Sequence, residues 1–428
     1  MHFDVFQTAA VVIVAAAAAG YLNHLTVKLP QTIALTLTGA VAALVVALID
    51  QLIPEARLGL SIRGFMDGID FKTALLNVML SFLLFAGALH IDLGELRRGA
   101  WAIAELSTVG VVLSTAIIAV GVGVIGGWVG VEIPLAWRLV FGALISPTDP
   151  VAVIALLQPS AAPKLLKTTV AAESLFNDGV GVVLFSILLG MALNPIPAAP
   201  SARLAQGMLL FAREAGGGVL LGLLIAAIGY GAMRSIEDYA TEALITIAIV
   251  MGGYAVAEPL GVSGPVAMAV AGLIIGNVAA RTAMSEATRD HLMKFWDLVD
   301  HILNAALFLL IGLQGLPLFG APRLFILGAA CVPLVLGARA LSVAPTLAAR
   351  RKLLNFRQAF PLLTWGGLRG GIGIAMALAL PAGPTRDVIV AATYVVVMFS
   401  VIVQGATVGR LIRAIAPPQP DAAGPTPP

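Results

Sequence analysis

The sequence predicts an all-α polytopic membrane protein of about thirteen transmembrane helices, built as inverted repeats with two crossing broken helices. Three observations carry this. Of 428 residues, 59% are hydrophobic and only 11% are charged, whereas an ordinary soluble chain is about 25% charged. The apolar stretches are roughly 17–28 residues long, enough to cross a hydrocarbon core of about 30 Å. Two stretches, one in each half, are interrupted: Ser146-Pro147-Thr148-Asp149-Pro150, and the five-glycine run from Gly366 to Gly373. A broken segment in each half is the expected trace of inverted repeats that meet near the membrane midplane.

In chain order the helices are expected at 5–22, 30–50, 73–91, 99–130, 135–157, 164–192, 206–233, 241–258, 263–279, 291–316, 321–349, 356–380 and 386–412. Pro, Gly and charge punctuate them, as at Leu29-Pro30, Asn194-Pro195-Ile196-Pro197 and Ala382-Gly383-Pro384. Residues 1–416 thus form one membrane domain, and the Pro/Ala-rich tail 417–428 is expected to be disordered. No basic segment precedes the first apolar run, so no cleaved signal peptide is expected. An odd helix number puts the termini on opposite sides. Fifteen Lys and Arg then fall on the C-terminal side and eight on the other, which predicts a cytoplasmic C-terminus in a multi-pass protein of the cell membrane. The two remaining of the 25 basic residues, Arg339 and Arg369, lie inside predicted helices.

Composition also excludes classes. The lone Cys331 forbids an internal disulfide, and a net charge of +2 does not suggest nucleic acid. No zinc spacing, nucleophile elbow, phosphate loop or dinucleotide fingerprint stands out, so neither an enzyme nor a bound cofactor is expected.

The chemistry concentrates in 171–184, AAESLFNDGVGVVL. On a helix, Ser174 and Asp178 share one face, while Glu173 and Asn177 share the neighbouring one. An ionisable group at membrane depth costs about 2.5–3.5 kcal/mol on insertion scales, so it marks function. Burial disfavours the charged form of Asp178, and a bound cation restores it. One carboxylate can therefore hold a cation or a proton in turn, which suffices for exchange if the site faces each side alternately. Asn177 cannot titrate, so the pair carries one proton per monovalent cation, an electroneutral exchange. The prolines at 147 and 150 free the carbonyls of Ala143 and Ser146. Together with Ser146, Thr148 and Asp149 these make hard oxygen ligands suited to a small hard cation. Arg369, in the glycine-broken helix, is placed to neutralise helix ends at the crossing. Glu173 is expected to pair with Arg339 as a structural bridge, because buried charges persist when paired. Asp300-His301 and Glu105 receive no role. A cation channel is the competing class, but no repeated carbonyl-filter sequence is visible.

The chain resembles the monovalent cation:proton antiporter superfamily, most closely the bacterial sodium/proton antiporters of the NhaP type and their animal exchanger relatives. The resemblance rests on Leu89-His90-Ile91-Asp92-Leu93, Ser146 through Val153, Glu173 through Gly179, Phe295-Trp296-Asp297 through Asn304, Leu310-Ile311-Gly312-Leu313, Ala338 through Val343, and Gly366 through Gly370. It implies an NhaA-like antiporter fold and a homodimer in the lipid bilayer. Core helices at about 73–192 and 291–412 would move against dimerisation helices at about 5–50 and 206–279. It implies Na+ or Li+ exchanged for H+, with potassium/proton exchange as the alternative. It implies ion-binding roles for Asp178, Asp149, Ser174 and the Thr148 carbonyl, and a bracing role for Asn177. It also makes Glu173–Arg339 a stabilising pair. Two positions depart from the family pattern. Phe85-Ala86-Gly87 lacks an acid often found at the middle position, and His301 stands where the family often has Glu.

Overall fold

The computed structural model describes residues 5–53, 78–194, 200–314 and 322–416. The tail 417–428, the start of the helix expected at 73–91, and the basic residues Arg57, Arg63 and Lys72 lie outside them. Among the described residues the chain is helical, in thirteen segments. They are α1 Val5–Leu25, α2 Gln31–Leu52, α3 Leu80–Leu89, α4 Leu93–Val129, α5 in two halves (α5a Leu135–Ile145 and α5b Val151–Leu157) and α6 Lys164–Leu193. There follow α7 Pro200–Arg234, α8 Tyr239–Leu260, α9 Gly264–Thr282, α10 Glu286–Leu313, α11 Pro322–Ala349, α12 in two halves (α12a Phe356–Trp365 and α12b Gly371–Leu378) and α13 Pro384–Ile415. Over their described residues, ten are long and apolar enough to cross a membrane alone, and α3, α5 and α12 are not. For α5 and α12 the reason is the break itself.

Local chemistry sets several boundaries. Asp92 caps α4, its Oδ1 accepting from the backbone N–H groups of Gly94 and Glu95. This starts α4 six residues earlier than expected from hydropathy, because Glu95, Arg97 and Arg98 hide the first turn from an apolar window. Asp238, Ser263, Ser285 and Asn355 cap α8, α9, α10 and α12a in the same way. Gly130 and Gly261 end α4 and α8 in the left-handed conformation that glycine adopts without strain.

Lipid tails are as apolar as leucine, so helix association must come from close packing rather than from water exclusion. Glycine supplies it. At the crossing of α2 and α10 a Cβ on Gly39 would lie 2.5 Å from the Leu309 carbonyl oxygen. Packing sorts the helices into two groups. α4, α5, α6, α11, α12 and α13 pack among themselves, with α4 on α11, α5a on α6 and α11 on α13. In the other group α10 lies on α2, α3 on α9, and α9 on α7. α3 and α10 thus pack with the expected dimerisation helices rather than with the core helices. This packing follows the glycines on α2 and α9 that admit α10 and α3 closely.

Candidate ion-binding site

The two broken helices meet back to back. The backbone N–H of Asp149 donates to the Leu368 carbonyl at 2.8 Å, an isolated antiparallel bridge between the extended stretches. Proline makes one stretch and glycine the other. A Cβ at Gly370 would fall on the Asp149 carboxylate, and one at Gly367 would lie 2.8 Å from Arg339 Nε. Only glycine lets the segments approach this closely.

Breaking a helix leaves backbone groups that must be satisfied where no water reaches. Buried Arg369 donates from Nη1 to the carbonyls of Ser146 and Pro147 at the end of α5a. A cation at the negative end of a half-helix is favourably placed. Its own N–H donates to Ser400 Oγ at 2.7 Å, and Gln404 Nε2 donates to the Trp365 carbonyl at 2.8 Å. Ser400 and Gln404 lie on a π-helical turn of α13. Neither was singled out from the sequence, although two polar residues four apart in an apolar run were a readable signal. Ser146, counted there as a ligand, has its hydroxyl bonded to Gly142 O and Ser114 Oγ instead. Its carbonyl is covered by Arg369. Serine on a helix end returns its hydroxyl to the preceding turn, which removes it from the cluster.

α6 runs past the crossing and presents two different faces. On the first, Arg339 grips Glu173 with two bonds of 2.8 Å, Nη1 to Oε1 and Nη2 to Oε2. Arg339 Nε donates to the Leu363 carbonyl at 2.9 Å. Asn177 Nδ2 donates to Glu173 Oε1 at 2.7 Å and to Thr148 Oγ1 at 2.8 Å, while Asn177 Oδ1 accepts from the Thr148 N–H at 3.2 Å. Every polar atom of Asn177 is thus engaged across the break. Ser174 and Thr148 hydroxyls lie 3.0 Å apart.

On the second face Asp178 has no hydrogen-bond or ion-pair partner among the described residues, yet it is only 6% exposed. It borders a cavity of about 550 Å³ shared with Asp149. Asp149 Oδ1 accepts from the Val151 N–H at 2.9 Å, which orients the carboxylate. The cavity is walled by α3, α5b, α6, α10 and α12b and reaches His90 and Gln158 at the ends of α3 and α5b. Beyond the site, Leu307, Leu310, Ile311, Ile374 and Leu378 pack with no space that a water molecule could occupy. Among the described residues the cavity leads from the site toward the ends of α3 and α5b, on the face where α13 ends.

α10 contributes Asp297, Asp300, His301 and Asn304 to the cavity wall. They lie well inside this helix, which begins at Glu286. His90 Nε2 stands 3.2 Å from Asp297 Oδ1. These residues had no role in the sequence reading, although their spacing of three or four marks one polar helix stripe. Glu105 pairs with Arg350.

A family model described as "Sodium/hydrogen exchanger, transmembrane" matches residues 11–414. The Na(+)/H(+) antiporter NhaP of Pseudomonas aeruginosa is 43% identical over 419 residues, which is 94% of each chain. The Na(+)/H(+) antiporter NhaH of Halobacillus dabanensis is 32% identical over 91% of this chain and 92% of its own. Among solved structures, the sodium proton antiporter MjNhaP1 of Methanocaldococcus jannaschii at pH 8 aligns with a TM-score of 0.71 over 95% of this chain and 97% of its own. At 20% identity that likeness concerns the fold.

Proposed function

The chain belongs to the sodium/hydrogen exchanger family, and from that premise we propose that it exchanges Na+ or Li+ for H+ across the cell membrane. The observation that carries this is Asp178: a buried carboxylate, unpartnered among the described residues, bordering a cavity that reaches the ends of α3 and α5b. A buried charge without a partner is unfavourable, so the carboxylate takes a proton or a cation, and either displaces the other. Asp149, the Ser174 hydroxyl and the Thr148 carbonyl complete a set of hard oxygen ligands around the cation. Asn177 and the Glu173–Arg339 bridge hold the crossing in shape and take no part in the exchange. With one exchanging carboxylate the stoichiometry is one proton per cation, and the cycle is electroneutral.

Alternating access requires the cavity to close on one face and open on the other. The cavity lies between the two packed groups of helices, so a displacement of one group against the other would carry Asp178 and Asp149 together. We place the moving group in α4–α6 and α11–α13 and the stationary group in the remaining helices, which form a homodimer. The C-terminus lies in the cytoplasm, and the open cavity faces the same side.

The test is proton flux in sealed proteoliposomes on addition of Na+, Li+ or K+ over a range of pH. Sodium and lithium should drive proton movement out of proportion to potassium. Collapsing the membrane potential should leave both rate and end point unchanged. A potential-dependent end point would refute the one-to-one stoichiometry, and cation flux without proton movement would favour a channel.

A further inference from the structure

A second cavity, of about 580 Å³, lies outside the exchange site, on the face where α13 ends. It is formed by the connection between α11 and α12a and by the start of α6. Arg351, Lys352 and Arg357 line it, all exposed, and none has an ion-pair or hydrogen-bond partner for its side chain among the described residues. Two neighbouring cations are already occupied: Arg350 by Glu105, and Lys167 by the carbonyls of Gln158 and Ser160. Charges of one sign gathered around a concave space, with the available carboxylate spent elsewhere, call for an anion.

Two helix starts face the same space. Pro163 precedes α6 and gives no side-chain cap, and Asn355 precedes α12a, its side chain serving only the Arg357 N–H. Both leave N–H groups and the positive end of a helix toward the cavity. Beside the cations stand two exposed apolar side chains, Leu353 at 40% and Phe356 at 39% exposure, the latter stacked on Phe360 at 5.1 Å. A free inorganic anion has no use for them. An amphipathic anion does: its phosphate meets the guanidinium groups while its acyl chains lie along the apolar residues.

We propose that this cavity is a binding site for the phosphate headgroup of an anionic lipid in the leaflet on the α13-terminal face. Its position gives it leverage. The connection joins α11, which carries Arg339, to α12, which carries Arg369. A lipid clamped there steadies both cations that hold the helix crossing together.

The experiment uses the full-length protein purified in detergent, with phosphatidylglycerol or phosphatidylcholine added, and reads retained lipid by native mass spectrometry and the thermal midpoint in parallel. Phosphatidylglycerol should be retained and should raise the midpoint, whereas phosphatidylcholine should not. The triple variant Arg351→Gln/Lys352→Gln/Arg357→Gln should lose retention by about a hundredfold, from roughly fivefold per basic residue at an anionic surface, compounded over three. A triple variant of exposed cations elsewhere on that face, Arg97→Gln/Arg234→Gln/Arg289→Gln, should keep it. Should the pocket triple variant not fold, the single variants Lys352→Gln and Arg357→Gln should each show a graded loss. Equal loss in the two triple variants would mean diffuse surface charge and overturn the site. Unchanged retention in the pocket variants would also overturn it. Inorganic phosphate that raises the midpoint as much as the lipid would show a free-anion site instead.

Discussion

The two faces of α6 hold acids five residues apart, Glu173 and Asp178, in opposite circumstances. Glu173 has both oxygens bound by Arg339 and one also by Asn177. Asp178 has no partner among the described residues and looks into a cavity. Both are buried, so burial alone does not make an acid a transport site. What separates them is whether the protein supplies the countercharge. A carboxylate already neutralised by a guanidinium has little to gain from a cation, while one left alone gains a great deal. The same contrast divides the broken helices. The proline break offers a carboxylate, and the glycine break offers a guanidinium to cover free carbonyls.

The largest effect should come from Asp178. Asp178→Asn removes the carboxylate proposed to exchange and keeps its shape, so cation-driven proton flux should fall to the level of empty vesicles. The protein should still purify as a folded species, because no structural bond is lost. Residual wild-type flux would place the exchange elsewhere.

On the opposite face the loss should be in stability. Glu173→Gln or Arg339→Leu leaves a buried charge uncompensated, which should cost about 3–5 kcal/mol. The combined variant should recover part of the thermal midpoint. Additive losses would show that the pair is not the energetic unit its geometry describes.

A subtler break concerns the glycine that admits Asp149. Gly370→Ala puts a methyl group where the carboxylate lies. The Asp149 Cβ lies almost as close, so rotation does not relieve the clash and the two extended segments must shift apart, at about 1–3 kcal/mol, which should weaken apparent cation affinity by about ten- to a hundredfold. Maximal flux should be affected less, and a titration of flux against sodium separates the two.

The smallest effect belongs to an acid outside the membrane. The Asp92 carboxyl sits below its ordinary value of 3.8, held down chiefly by the Glu95 N–H and further by the Gly94 N–H and Arg281. A lowered value means the cap stabilises the fold above the unfolded carboxyl's titration and is lost as pH falls through the folded one. Asp92→Ala should therefore cost about 1 kcal/mol near neutral pH. In acid below the folded titration the difference from the wild type should shrink, which thermal melts at the two pH values would read.

Much of this was readable in one dimension. Acids and arginines in apolar runs are so expensive in lipid that their mere presence identified Asp178, Asp149, Glu173, Arg339 and Arg369. The prolines at 147 and 150 and the glycines from 366 identified the broken helices for the same reason, since a helix without its bonds needs special surroundings. The polar stripe on α10 was visible but mute, because Asp297, Asp300 and Asn304 take their meaning from the cavity they face. Ser146 looked like a ligand because composition cannot show that a hydroxyl bends back to Gly142.

Sequence by itself determined the membrane setting, the thirteen helices, the two breaks and the roster of buried charges, all through the cost of placing polar groups in hydrocarbon. That cost depends on residue type and on local spacing, both of which are written along the chain. Tertiary structure alone decided which charge stands without a partner, which helices wall the cavity beside it, and that α3 and α10 pack with α2 and α9. Those are properties of juxtaposition between segments far apart in the chain, set by where glycine allows two backbones to touch.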